Sequence, residues 1–333
     1  MKRSLALVAS TALFALASGR SLAADSVVHV SLLTAPFGTG SYVLGAALQD
    51  ISNKSKSPVR IDASESPGFL FNIKKLAADP EARTTTIVGS GKGVLALATA
   101  GEKPFDKKYP QLKLICNYEL VSAWLATLDS NIKTVKDLVG KRVGLGRAPQ
   151  INWAVEPEKI IRDGWGLGPD QVKISYLGPK EAVAALLDGH VDAAVVGGYM
   201  GPGGRPFVLS PQTTQFLASG RHVRMIPWGK AAVDKAIADG MDMVYTELPP
   251  NTIQGVSEPL PVFADTAGWF VSSEFPENLA YEVTKMIIRN VDKFREYHAL
   301  GKMMSRQALV YGFAEKDIAP GALRAYREAG ILK

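Results

Sequence analysis

The sequence predicts an α/β protein whose sheets are mainly parallel. Stretches rich in apolar and β-branched residues alternate along the chain with stretches whose apolar residues recur every three or four positions, as in amphipathic helices. Glycine-containing turns follow several of the predicted strands. Beyond a leader of about 24 residues the chain has roughly 309 residues, which suits two domains of about 150 residues each.

Residues 1–24 have the features of a secretory signal peptide. Two basic residues precede an apolar run over residues 5–17, and small residues follow that run. We therefore expect cleavage after Ala23 or Ala24 and a periplasmic mature protein, with an uncleaved N-terminal anchor as the alternative. No later stretch approaches the ~20 apolar residues of a membrane-spanning helix.

Composition narrows the functional classes. Without the leader, 35 basic residues stand against 32 acidic ones, and no Lys/Arg cluster points to nucleic acid. The single cysteine, Cys116, excludes an internal disulfide and a cysteine-rich metal site, and its strand-like setting predicts a small buried hydrophobe. The four histidines lack metal-ligand spacing. We expect no metal and no cofactor, although the dispersed carboxylates leave a co-bound ion open.

The first strand and helix enclose the most informative turn. Residues 27–33 suit a buried strand, and the apolar residues after position 43 suit a helix. A glycine turn between a strand and a helix directs backbone N–H groups and a positive helix end at an anion. We expect the turn residues to contact a polar or anionic ligand, with a plain structural turn as the alternative; they are Gly38, Thr39, Gly40, Ser41 and Tyr42.

Two further turns follow the same pattern. A strand at residues 59–63 precedes a turn and a helix from about Leu70, and a strand at residues 84–88 precedes a second glycine turn. Ligands gather at the carboxyl ends of parallel strands. Three such turns in series predict one crevice, although glycine turns are ordinary in α/β proteins. The candidate ligand contacts in these two turns are Ser66, Gly68, Phe69, Gly89 and Ser90.

The second half of the chain repeats this architecture. Residues 113–128 form a long apolar stretch that suits a strand running from one domain into the other. Helices are predicted after it at 134–138, 158–164 and 179–188, and strands at 142–145, 172–177 and 191–196.

These segments resemble a known superfamily. Residues 132–143, IKTVKDLVGKRV, resemble the DL-x-GK-x-V hallmark of type II periplasmic solute-binding proteins, and residues 181–193, EAVAALLDGHVDA, resemble a second conserved segment of that superfamily. Together with the turns at 38–45 and 68–72, the tail at 320–330, PGALRAYREAG, resembles the TAXI group. Proteins of that group are the substrate-capturing subunits of TRAP-type secondary transporters.

The resemblance implies a two-lobed fold of the Venus-flytrap type, each lobe a mainly parallel sheet flanked by helices. Lobe I would comprise residues 25–118 and 263–333, lobe II residues 119–262, with a hinge near 116–124 and 258–268. It also implies a monomeric receptor that captures a small organic acid or an amino-acid-like ligand between the lobes and then docks on TRAP membrane subunits.

The chain departs from the group at two places that face the predicted crevice. Phe69 stands where the group usually has a hydroxyl, and Arg147 opens the segment that replaces a Gly-Ser-Gly-Thr turn. Arg147 could give a bidentate contact to a carboxylate, with a solvated surface arginine as the alternative. Asn152 in the same segment and Gly198 and Tyr199 after a later strand complete the candidate ligand contacts.

Three other functions compete with a TRAP receptor. One is the binding subunit of an ATP-driven importer, and another is the ligand-sensing partner of a membrane kinase. The third is an enzyme on the same fold. The sequence has no nucleophile elbow, metal quartet or paired-carboxylate motif that would indicate catalysis, so we expect no enzyme.

Overall fold

The computed structural model describes residues 27–37, 39–147 and 150–333, so the predicted signal peptide and Gly38 lie outside the described residues. The strands are β1 (Val28–Leu33), β2 (Val59–Ser64), β3 (Thr86–Ser90), β4 (Lys113–Thr127), β5 (Arg142–Leu145), β6 (Lys173–Tyr176), β7 (Ala193–Met200), β8 (Phe207–Leu209), β9 (Arg224–Ile226), β10 (Val244–Leu248) and β11 (Leu260–Val271).

The α-helices are connected by loops and short 3-10 turns. They are α1 (Gly40–Lys54), α2 (Phe69–Ala78), α3 (Pro80–Thr85), α4 (Lys92–Ala100), α5 (Glu156–Lys159), α6 (Pro179–Leu187), α7 (Pro211–Leu217), α8 (Lys230–Ala238), α9 (Glu277–Asn290), α10 (Phe294–Tyr297) and α11 (Pro320–Glu328). Two π-helical turns, Ile151–Val155 and Ile160–Gly164, extend α5 on both sides.

The strands form one mixed sheet in the order β2-β1-β3-β11-β4-β7-β5-β6, with β8, β9 and β10 attached to β7, β4 and β11. Parallel pairs make up its two ends: β1 pairs with β2 and β3, and β5 pairs with β6 and β7. Antiparallel β4 and β11 join these ends in the middle. The α/β fold class that the sequence predicts is thereby confirmed.

The two middle strands are long and buried. β4 is buried at every residue after Lys113, and β11 at all but one residue. Their pairing makes β4 and β11 the two connections between the parallel ends of the sheet. The lobe boundaries and the hinge remain predictions.

Aromatic side chains fill the core on both sides of these strands. Trp124, Trp228 and Trp269 are fully buried, and the ring of Trp269 lies 5.1 Å from that of Tyr118. Cys116 is also fully buried, as predicted. This packing holds the middle of the sheet in place, so that side chains on its strands have fixed directions.

Two predicted boundaries in the first half are wrong. β3 begins at Thr86 because residues 80–85 form helix α3, whose first turn is capped by the side chain of Asp79. Gly89 and Ser90 belong to the strand rather than to a turn, since β11 pairs with both.

Two boundaries in the second half also need correction. β7 continues to Met200, so Gly198 and Tyr199 lie within the strand, where β8 extends the ladder. The helix predicted at 158–164 begins at Ile151, because π-helical hydrogen bonds carry it through the segment after β5.

Among the described residues, no helix has both the length and the apolar character needed to cross a bilayer. The same residues contain no group of three or more His, Cys, Asp or Glu side chains arranged to hold a metal ion.

Candidate functional site

One face of the middle strands carries buried carboxyl groups. In the β4–β11 ladder, Asp265 pairs with Val121 and Ala267 with Glu119, while Tyr199 of β7 also pairs with Val121. Cross-strand partners point to the same face, so Glu119 and Asp265 are diagonal neighbours there. We call this surface the crossover face; its residues are Glu119, Val121, Tyr199, Asp265 and Ala267.

Helix α1 begins directly on the Glu119 end of this face. A Cβ on Gly40 would overlap Oε1 of Glu119 and lie 2.7 Å from its Oε2. Only glycine therefore allows the first turn of α1 to approach so closely. That turn contains no acidic residue of its own, and the Glu119 carboxyl lies against this positive end of the helix.

The Glu119 carboxyl is deeply buried. The residue is 4 % exposed, and its Oε2 makes no hydrogen bond within the described residues. Burial raises the pKa of Glu119 to about 8, because a low-dielectric surrounding disfavours the charged form. In the ligand-free structure Glu119 is therefore mainly protonated at neutral pH.

Two tyrosine side chains lie close enough to this carboxyl for its charge to affect them. Burial first, and then the nearby Glu119 carboxyl, raise the pKa of both Tyr118 and Tyr199. The Ser41 hydroxyl lies close enough to Tyr118 to oppose that shift. The hydroxyls of Ser41, Ser90 and Tyr118 are buried, and none makes a hydrogen bond of acceptable geometry in the described parts of the chain. Buried hydroxyls of this kind can form hydrogen bonds with a ligand or with a water molecule.

At the Asp265 end of the crossover face, the carboxylate accepts hydrogen bonds from within the protein. Both carboxylate oxygens of Asp265 accept from the N–H of Gly93 in α4, at 3.2 Å. The side-chain amide of Asn152 donates to Asp265 Oδ2 at 3.1 Å and to Glu156 Oε2 at 3.0 Å. Residues from both parallel ends of the sheet thus meet on Asp265.

Asp265 and Glu156 form a coupled acid pair. Burial raises the pKa of Asp265 to about 7, while the hydrogen bonds from Gly93, Thr266 and Asn152 oppose the shift. Burial and the negative charge of Asp265 hold the pKa of the Glu156 carboxyl well above its usual range. Near neutral pH the pair retains at least one proton, which lets one carboxyl group donate to the other.

Several predicted contacts lie together near the Glu119 end. A Cβ on Gly89 would lie 2.6 Å from the Ser41 hydroxyl and 3.1 Å from the ring of Phe69. Gly40 and Ser41 begin α1, and Ser90 ends β3. At the other end, Asn152 contacts Asp265, and Tyr199 lies on the crossover face itself.

Other predicted contacts have local structural roles. The Thr39 hydroxyl caps α1 by accepting from the N–H of Tyr42 at 3.3 Å. Ser66 donates to the carbonyl of Thr34 at 3.0 Å and accepts from the N–H of Gly68. Gly68 has φ 128°, which favours glycine, so its identity is explained by the backbone alone.

Three more predicted contacts are peripheral to Glu119. The Tyr42 ring packs 5.0 Å from that of Phe37, which is exposed. Gly198 lies under the ring of Phe207, where a Cβ would approach to 2.8 Å. Arg147 is exposed after β5 and lies beside Gly178 at the start of α6.

Sequence reasoning missed Glu119, Asp265 and Glu156. The available signal was a carboxyl residue inside a stretch predicted to be a buried strand: Glu119 interrupts the apolar run at 113–128, and Asp265 opens the predicted returning strand. Acidic residues are almost never fully buried unless they are paired or functional. Glu156 carried no comparable signal, because its helix was predicted to begin after it.

Comparisons with known proteins agree with this architecture. A family model described as the NMT1-like family matches residues 32–330. MatC from Rhodopseudomonas palustris with bound malate has 12% identity and a TM-score of 0.51, over 91% of this chain and 96% of that chain. At these identities the likeness concerns the fold alone.

Two further solved structures are named as binding proteins. The TctC solute binding protein from Polaromonas has 16% identity and a TM-score of 0.49, over 91% of this chain and 98% of that chain. The periplasmic aliphatic sulphonate binding protein SsuA from Escherichia coli has 14% identity and a TM-score of 0.44, over 90% of this chain and 83% of that chain.

Proposed function

Since the chain belongs to the NMT1-like family, we propose that it is a periplasmic receptor that captures a small organic acid or an amino-acid-like solute and delivers it to a TRAP-type secondary transporter. The sheet architecture and the buried polar groups support the capture of a solute. Delivery to a TRAP transporter rests on the resemblance of the turns and the tail to the TAXI group.

One observation carries the proposal: buried, unpartnered polar atoms converge where α1 meets the crossover face. Ser41, Tyr118 and Glu119 each leave a polar atom without a hydrogen bond to the residues that the structure describes, although each is nearly fully buried. A buried polar atom without a partner costs about 1–3 kcal/mol. A ligand that supplied the missing hydrogen bonds would recover that free energy, so the cluster favours reversible binding.

The ligand carboxylate would bind at the first turn of α1. Backbone N–H groups at the start of a helix, together with the helix dipole, form a ready site for an anion. The N–H of Tyr42 is already capped by Thr39, which leaves the N–H groups of Gly40 and Ser41 for the ligand. Phe69, against Gly89, would narrow the pocket beside this anion site.

Capture would proceed by closure of two lobes about β4 and β11. In this proposal residues 25–118 and 263–333 form lobe I, and residues 119–262 form lobe II. Segments 116–124 and 258–268 act as the hinge. Ligand favours the closed form only through contacts that the open form lacks. Asn152, which reaches Asp265 across this junction, is one group that would engage on closure.

The experiment is a thermal-shift screen of the mature protein against carboxylic acids and amino acids. A ligand at 100 times its dissociation constant stabilises a protein by about 2.7 kcal/mol. Ser41→Ala should weaken binding at least tenfold without loss of stability, because the lost hydroxyl makes no hydrogen bond with the described residues. Thr284→Val is the matched control, since the hydroxyl of Thr284 on α9 is buried and likewise has no partner in the described part of the chain. Equal binding by Ser41→Ala and wild type would contradict this placement of the site.

The transporter class is tested by solute uptake into cells that depend on this protein. Uptake through a TRAP-type secondary transporter should persist when ATP is depleted while an ion gradient is maintained. Uptake that stops with ATP depletion under a maintained gradient would instead identify the binding subunit of an ATP-driven importer. Mass spectrometry of the bound compound after incubation checks for turnover, which an enzyme would show.

A further inference from the structure

We propose that Glu119 binds a protonated amino group of the ligand, so that the receptor takes amino acids in preference to the corresponding plain carboxylic acids. This inference rests on the proposed function and names the ligand chemistry of the same site. It assigns Glu119 as the residue that distinguishes the two ligand classes.

The charge balance around the crossover face supports a positive ligand group. Glu119, Glu156 and Asp265 are each at most 4 % exposed. Among the described residues, no Lys or Arg side chain forms an ion pair with any of them; Lys92 pairs with Asp242 and Arg162 with Glu158. Buried carboxylates are normally paired or bound to a cation. A ligand ammonium group would supply the missing charge.

Glu119 is the carboxyl group for which the described residues supply no donor, whereas Glu156 accepts from Asn152 and leaves only its Oε1 without a partner. Asp265 already accepts from Gly93 and Asn152, and Asn152 also donates to Glu156. Glu119 accepts no hydrogen bond of comparable geometry in the described chain, and its Oε2 is buried. The hydroxyls of Ser41 and Tyr118 stand near it without partners. An ammonium group has three donors, which one carboxylate and two hydroxyl oxygens would satisfy.

The position of Glu119 beside the first turn of α1 explains why the ligand would carry both a carboxylate and an ammonium group. Glu119 lies against the Cα of Gly40, so the first turn of α1 and the carboxyl group are adjacent. An amino acid carries its carboxylate and its ammonium group on one carbon, with a separation that matches two adjacent subsites. The N–H groups of the helix would bind the carboxylate, and Glu119 would bind the ammonium group.

Binding would then release a proton from Glu119. In the free protein this carboxyl is mainly protonated below its pKa of about 8, whereas an ion pair requires the carboxylate. Affinity should therefore rise by roughly tenfold per pH unit between pH 6 and pH 8 and then level off. A ligand bound through its carboxylate alone would favour the protonated form of Glu119, so its affinity would stay nearly constant up to about pH 8 and fall only above it.

Four other titratable groups face this region. A substitution at Glu119 distinguishes its titration from theirs. Tyr118 and Tyr199 have pKa values raised above their usual range, so they stay protonated between pH 6 and pH 8. Asp265, with a pKa of about 7, and Glu156 can exchange protons in that interval. Glu119→Gln removes only the proton assigned to Glu119. The number of protons released by Glu119 on ligand binding is therefore the difference in proton release between wild type and this variant.

The test is isothermal titration calorimetry with matched probes: L-alanine against propionate, L-leucine against 4-methylpentanoate, and L-glutamate against glutarate. Wild type should bind at least one amino acid at least tenfold more tightly than its partner acid. At pH 6.5, titrations in buffers of different ionisation enthalpy should show release of nearly one proton. Glu119→Gln should lose most of the preference and the proton release. Glu296→Gln, the same change at an exposed carboxyl outside the proposed hinge, should keep both.

The outcomes separate the two proposals. Tighter binding of the plain acids, or an unchanged preference in Glu119→Gln, overturns the role of Glu119 and leaves the receptor function in place. Binding of neither member of any pair contradicts the proposed receptor for organic acids and amino acids, and this inference with it. Glu119→Gln should fold, because the amide replaces a carboxyl that is already neutral in the free protein.

Discussion

The two ends of the crossover face carry buried carboxyl groups in opposite states. At the Asp265 end, donors from α4 and from Asn152 converge on the carboxylate, and Glu156 shares the same amide. At the Glu119 end, the Oε2 of the carboxyl has no partner among the described residues, and the carboxyl lies against Gly40, the first residue of α1. A carboxyl whose hydrogen bonds are made within the protein holds the protein together. A carboxyl without them is available to a ligand.

The largest expected difference between the two ends is in the free energy of unfolding that is lost when each carboxyl group is removed. Asp265→Ala leaves the N–H groups of Gly93 and Thr266 without this acceptor and removes one of the two acceptors of the Asn152 amide, so we expect a loss of roughly 3 kcal/mol in the free energy of unfolding. Glu119→Ala removes no hydrogen bond that the described residues make and should cost less. Urea unfolding at pH 7.5 measures both. Equal losses would mean that the ends do not differ as described.

The second largest effect is the pH dependence of stability that Glu119 causes. An acid whose pKa is raised on folding destabilises the folded state once the unfolded chain ionises. The contribution of Glu119 should therefore reduce stability as pH rises from its usual pKa of 4.5 towards 8. Between pH 6 and pH 8 the loss amounts to roughly 2 kcal/mol.

The variant Glu119→Gln isolates this contribution. It should be more stable than wild type at pH 8, with the difference shrinking towards pH 5, as measured by urea unfolding across the range. The variant should still lose some stability with rising pH, because it retains the acid pair in which the pKa of Asp265 is about 7. A difference between wild type and variant that does not depend on pH would show that Glu119 keeps its ordinary pKa.

A smaller effect tests the contact between α1 and Glu119. A methyl group at position 40 would overlap the Glu119 carboxyl, whose free end can move aside. Gly40→Ala should therefore weaken ligand binding about tenfold, or about 1.4 kcal/mol, with little loss of stability. Gly168→Ala is the control, because a Cβ there would meet only Gln171 Oε1 at 3.8 Å.

A double-mutant cycle shows whether the Gly40→Ala effect passes through the carboxyl. When Glu119 is already Ala, Gly40→Ala should have less than half of its single-mutant effect on binding, as measured by calorimetry. Additive effects would place the ligand away from this contact.

The smallest expected effect concerns Arg147. The residue is exposed, so any ion pair that it makes with a ligand carboxylate after closure would be worth about 0.2–1 kcal/mol. Arg147→Ala should speed ligand release up to about fivefold in a stopped-flow experiment, and Arg147→Lys should restore part of the loss, because a point charge replaces a planar fork. An unaltered release rate would identify Arg147 as a solvated surface residue.

Local features of the fold were predictable from the sequence because they depend on neighbouring residues. The strand, glycine turn and helix around Gly40 follow from the apolar pattern and from the flexibility of glycine. The capping of a helical turn by Thr134 and Asp137 follows likewise from residues three positions apart. Boundaries failed where a partner strand decided them, as at Gly198 and Tyr199, which β8 draws into the ladder.

Half of the candidate site was predictable for the same reason and half was not. Gly40, Ser41 and Gly89 lie in or beside turns that the sequence marks, whereas Glu119 and Asp265 come together only because β4 and β11 pair in one register. Asn152 meets Asp265 from 113 positions away along the chain. The sequence therefore determined the local elements and the turns at which we propose that a ligand binds. The tertiary structure decided which carboxyls are buried and which of them lack a partner, since both depend on contacts between segments distant in sequence.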